Sequence, residues 1–145
     1  MPVDRDKVRY HINLLEEDIK VLEEKRKITR EDYLTNPDVQ GLVERRLQTA
    51  IEGCINIGSH IIAGLGLKLA EDFSAVFRRL SENGIISKGL SERLINMVKF
   101  RNLLVHVYWK VDSSKVYDYL MTGLEDLGQF SEEIIAYLDT MSYEL

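Results

Sequence analysis

Apolar residues in this chain return every third or fourth position and nowhere alternate one by one, a pattern that helices satisfy and strands do not. From Asp4 to about Lys27 the positions Val8, Ile12, Leu15, Ile19 and Leu22 step by four and three, with mostly charged residues between them. That spacing predicts a long helix with one buried stripe. At Thr35-Asn36-Pro37 the pattern breaks; Asn36 can cap and Pro37 can take the first helical position, so a second helix is expected from Pro37 to about Ala63. Its stripe is Val43, Leu47, Ala50, Cys54, Gly58 and Ile61, and the small members Ala50, Cys54 and Gly58 allow a neighbouring helix to come close.

The stretch GLGLKLA reads as a loop, followed by a short helix carrying Phe73, Val76, Phe77 and Leu80 that stops at Asn83-Gly84. Ser87 opens a fourth helix that should end near Val105, with Leu90, Leu94, Met97 and Val98 as its apolar face. Asp112 is a candidate N-cap for a last helix bearing Val116, Tyr119, Leu120, Leu124, Leu127, Phe130, Ile134 and Leu138. The expectation is all-α, an up-and-down bundle of four to five helices formed as a single domain over residues 1–145. Two prolines, nine glycines and 45% apolar residues in 145 are the makings of a globule with its own core.

Other features bound the function. The lone cysteine, Cys54, sits among isoleucines and has no partner for an intrachain disulfide, which fits a reducing cytoplasm. The first residues lack an apolar signal core, and the most apolar stretch, 55–70, carries His60 and Lys68, so neither export nor a membrane span is expected. A net charge of −5 opposes broad binding of polyanions, and any nucleic-acid site must be local. No Gly-rich phosphate loop, zinc-spaced Cys/His set or Glu-x-x-His pattern is present, and neither cofactor nor metal is expected.

The chemistry gathers in RNLLVHVYW, residues 101–109. Arg101 lies four positions after Met97, on or beside the buried stripe, where an ion is costly unless it is paired or lines a cleft. Glu52, between Ala50 and Cys54 on the second helix, can pair with it as an orienting carboxylate or stay solvated. Residues five apart on a helix are rotated by about 140°, so Arg101 and His106 act together only if the helix ends near Val105 or a second copy completes the site. A guanidinium and an imidazole can serve RNA cleavage without metal: Arg101 can bind the scissile phosphate and stabilise its extra transition-state charge, while His106 can take the ribose 2′-hydroxyl proton or give one to the leaving 5′-oxygen. Asn102 can orient the imidazole or donate to phosphate, and Tyr108 can stack on a base or bind phosphate. The structural alternative is an arginine paired with an acid and a histidine donating to the last helical carbonyls.

The eight residues Arg101 to Tyr108 also match R-x4-H-x-Y, and the chain resembles HEPN domains (higher eukaryotes and prokaryotes nucleotide-binding), in particular the HepT-like toxin branch. The likeness extends to VERRLQTAIEGCINIGSHII and to LSENGIISKGLSERLINMVKFRNLLVHVYWKVD, covering roughly residues 40 to 130. It implies a helical ribonuclease that works without metal in the cytoplasm as a homodimer, with the motifs of two subunits meeting across the interface. It implies Arg101 and His106 as catalytic residues on an RNA substrate. It further implies a nucleotidyltransferase-type antitoxin as partner, which silences the toxin by attaching AMP to the motif tyrosine, here Tyr108. A binding or docking module without catalysis, using the same cleft for a nucleotide or a nucleotidyltransferase, is the alternative; it has no need of both Arg101 and His106. Elsewhere, His11 and His60 read as structural, Arg45-Arg46 and Arg78-Arg79 as solvated or salt-bridged unless they carry an RNA backbone, Tyr117, Tyr119, Tyr137 and Tyr143 as core or interface, and Trp109 as an interface anchor.

Overall fold

A computed structural model describes residues 3–106 and 111–141, with His106 given by its backbone alone. Among the described residues the chain forms helices and no strand: α1 (Arg5–Lys25), α2 (Arg30–Leu34), α3 (Pro37–Gly64), α4 (Phe73–Glu82), α5 (Lys88–His106), α6 (Ser113–Thr122) and α7 (Leu124–Met141). Local chemistry sets the boundaries. Asn36 caps α3 by accepting from the Val39 amide at 3.2 Å, with Pro37 in the first turn, and Asp112 caps α6 by accepting from Ser114 and Lys115. Asp4 and Asp72 do the same for α1 and α4. Helix α4 stops at Gly84, whose φ of +71° lets the Ile85 amide turn back to the Leu80 carbonyl at 2.9 Å.

Among the described residues seven helices stand where four to five were expected, for two reasons. Helix α2 has five residues and one buried anchor, Tyr33, too little for a period to register; Thr29 caps it through the Asp32 amide. The expected last helix is divided at Gly123, although its apolar period runs on unbroken. The Tyr119 ring lies across this point: a Cβ at Gly123 would sit 2.5 Å from Tyr119 Cζ, so the division takes place where only glycine fits beneath the ring.

Helix α3 occupies the centre, packed against α1, α4 and α5. The expected stripe is buried in full: Val43, Leu47, Ala50, Cys54 and Ile61 are each 0% exposed. Gly58 brings α4 close, since a Cβ there would lie 2.5 Å from Val76 Cγ1 and 3.0 Å from Leu80 Cδ1. Phe77 of α4 meets Phe130 of α7 edge to face at 5.9 Å, and buried residues from all seven helices join one apolar cluster. The contact of α3 with α5 then sets the site, because it brings the middle of one helix to the last turns of the other.

Candidate active site

Helix α5 is buried along Leu90, Leu94, Met97 and Val98, but its last turn carries Leu103 and Val105 outward, 49% and 38% exposed. Arg101 stands at this change from core to surface. Its side chain is 14% exposed, and Nη2 donates to Glu52 Oε2 at 2.6 Å, so the carboxylate that α3 places between Ala50 and Cys54 is the partner the sequence suggested. A charged hydrogen bond of this length offsets the cost of holding the guanidinium beside the apolar stripe. On one face the guanidinium stacks over the Phe73 ring, with Cζ 5.2 Å from the ring centre. Nη1 makes a longer contact of 3.5 Å with Asn102 Oδ1, and Nε is buried with no hydrogen-bond partner among the described residues.

Phe73, which the sequence suggested only as one apolar position of a short helix, is 42% exposed and has this second role. Its signal in the sequence is slight: an aromatic in the first turn after the Asp72 cap, at a position that helical spacing assigns to the core. Asn102 is exposed, beside Arg101.

The helix expected to end near Val105 is described as far as His106. Positions 101 and 106 of one chain therefore differ by about 140° around the α5 axis, and Arg101 is turned toward α3. Tyr108 and Trp109 lie outside the described residues. The structure thus brings together Arg101, Asn102, Glu52 and Phe73.

With this geometry in place, comparison with known proteins places the chain. Residues 15–134 match the family model for ribonuclease HepT-like proteins. The chain belongs to that family. The mRNA nuclease HepT of Shewanella oneidensis is 34% identical over 98 residues, covering 68% of this chain and 74% of that protein. The tRNA nuclease HepT of Aphanizomenon flos-aquae is 27% identical over 117 residues, 81% of this chain and 80% of that protein. Among solved structures, the tri-AMPylated HEPN toxin of Shewanella oneidensis, in complex with an MNT antitoxin, superposes with a TM-score of 0.82 at 28% identity, covering 91% of this chain and 98% of that one. The all-helical HepT-like architecture agrees with the class expected from apolar spacing.

Tyr143 lies outside the described residues, and several of the remaining candidates have structural partners in this HepT-like fold. Arg46 pairs at 2.9 Å with Asp18, a carboxylate 7% exposed that also accepts from Thr49 at 2.7 Å. Arg79 pairs with Glu71 at 2.9 Å and Arg78 with Asp72 at 3.9 Å. Tyr117 is buried and donates to the Ile28 carbonyl at 2.8 Å, while Tyr119 stacks on Phe100 at 4.2 Å and burial pushes its phenol far above the usual range. His11 and His60 stack on one another, 5.7 Å between ring centres, and among the described residues no three His, Cys, Asp or Glu side chains gather as a metal group. No helix among the described residues is long and apolar enough to cross a membrane.

Proposed function

We propose that this protein is a metal-independent endoribonuclease, the toxin of a toxin–antitoxin pair, working as a homodimer in the cytoplasm with Arg101 and His106 as its catalytic residues. The observation that carries the reading is the setting of Arg101: a nearly enclosed guanidinium, fixed by Glu52 and Phe73, at the point where α5 leaves the core. Membership of the ribonuclease HepT-like family and the nuclease names of two relatives support the same reaction. The complex of the related toxin with an MNT antitoxin supports a nucleotidyltransferase partner.

In the reaction, the ribose 2′-hydroxyl attacks the adjacent phosphorus and the 5′-oxygen leaves. His106 moves the proton and Arg101 balances the charge that builds on the phosphoryl oxygens. RNA supplies its own nucleophile, so no metal-bound water is needed. Because α5 is continuous through both positions, the two groups converge when two chains place their α5 ends side by side. The exposed Leu103 and Val105 provide apolar surface at that junction.

The test is incubation of the purified protein with total RNA in EDTA. Cleavage persists, and Arg101→Ala and His106→Ala each lower its rate by at least about 10²-fold while leaving the circular dichroism of the fold unchanged. Activity that needs a divalent ion, or that survives both substitutions, refutes the mechanism. A folded wild type that cuts no RNA but binds a nucleotide or a nucleotidyltransferase would be the noncatalytic module instead.

A further inference from the structure

Arg101 can meet a phosphate only with the donors its neighbours leave free. A guanidinium carries five N–H donors in one plane. Here Glu52 takes one through Nη2 at 2.6 Å, the Nε edge is enclosed with no partner among the described residues, and the Phe73 ring lies under one face at 5.2 Å from Cζ. Two contacts, the Glu52 carboxylate and the Phe73 ring, thus hold the guanidinium, and its Nε edge is enclosed. Nη1 is held less tightly, its neighbour being Asn102 Oδ1 at 3.5 Å, a distance at which little of a hydrogen bond is left.

We propose that Glu52 and Phe73 are positioning residues for Arg101, holding its guanidinium so that the Nη1 side is the one presented to the RNA phosphate. The inference rests on the ribonuclease reading above and deepens it. Charge alone does not account for Glu52, because a carboxylate at 2.6 Å cancels much of the attraction Arg101 would exert on a polyanion. What it supplies is geometry. An arginine has many rotamers, and a donor already aimed at the place where charge develops needs no rearrangement during the reaction. Phe73 acts in the same sense. Its ring is left 42% exposed at the first position of α4, where a core residue would be covered, and the guanidinium is what it supports.

The consequence is a separation of turnover from binding. Glu52→Ala should lower kcat by at least about tenfold and leave KM unchanged or reduced, since the cation is freed toward phosphate while its aim is lost. Glu52→Gln keeps an amide oxygen to accept from Nη2 and should retain kcat within about threefold. Phe73→Ala should lower kcat severalfold and Phe73→Tyr, which keeps the ring face, should restore it. Melting curves report the folded fraction, to which each rate is normalised.

A second readout does not depend on activity. In NMR of the full-length protein, the Arg101 Nη1 and Nη2 signals should be resolved in the wild type and averaged in Glu52→Ala by free rotation about Cζ–Nε. A Glu52→Ala protein with kcat within twofold of wild type, a KM rise equal to its kcat loss, or Arg101 signals alike in both proteins overturns the proposal. Should the wild type cut no RNA, the ribonuclease reading fails, and the NMR comparison still decides whether Glu52 fixes Arg101.

Discussion

If the antitoxin adenylylates Tyr108, as the resemblance implies, a phosphodiester charge and a base are added two residues beyond His106 in the sequence, next to the proposed catalytic pair. Both repulsion and obstruction then work against RNA. With the cognate nucleotidyltransferase and ATP, the wild type should gain mass in whole adenylyl units and lose cleavage, and Tyr108→Phe should gain none and stay active. Intact-mass spectrometry beside the cleavage assay decides this; no gain on the wild type, or the same gain on the Phe variant, would remove Tyr108 as the switch. A different histidine adds a pH dependence to stability. Burial first, then the charges of Lys7 and His11, hold His60 below its ordinary 6.5, with Asp4 opposing them. The unfolded chain takes up that proton near 6.5 and the folded chain only at lower pH, so this contribution to stability is complete above 6.5 and is lost as pH falls toward the folded value. Melting temperatures taken from roughly pH 7.5 down to 5.5 should therefore fall more for the wild type than for His60→Gln. Equal slopes would contradict it.

At the scale of the helices, packing between α3 and α4 depends on the absence of a side chain at Gly58. Gly58→Val pushes into Val76 Cγ1, a short β-branched group with little room to turn aside, and into Leu80. Overpacking of this kind costs about 1–3 kcal/mol; a thermal melt should show it, and an unchanged midpoint would mean that the two helices separate at no cost. The same helices explain what sequence reasoning could reach. Apolar spacing located the stripes of α1, α3, α4 and α5, and the caps Asn36 and Asp112 were legible because capping needs only a short side chain and the next few amides. Helix α2 was not legible, being shorter than two turns. Nor was the division at Gly123, because it follows from the Tyr119 ring crossing that point while the apolar spacing continues through it. The pairing of Arg101 with Glu52 could be foreseen, since each is an ion placed against an apolar stripe. Phe73 could not: spacing places an aromatic on a face and does not say whether that face is covered.

For the whole molecule the continuity of α5 has the largest consequence. A helix unbroken through 101 and 106 keeps the two positions about 140° apart on one chain, while the proposed chemistry needs both at one phosphate. A two-fold dimer of the kind proposed would resolve this by letting the ends of two α5 helices face each other, and each dimer would then hold two arginines and two histidines around one cleft. The most direct measurement is complementation between inactive variants. Arg101→Ala and His106→Ala proteins, each inactive alone, are mixed, allowed to exchange subunits, and assayed on RNA in EDTA. If cleavage pairs the arginine of one chain with the histidine of the other, each mixed dimer holds one intact pair, and the mixture should recover about a quarter of wild-type activity. A mixture no more active than its components, under conditions where mass spectrometry shows that mixed dimers have formed, would contradict a site shared between two chains.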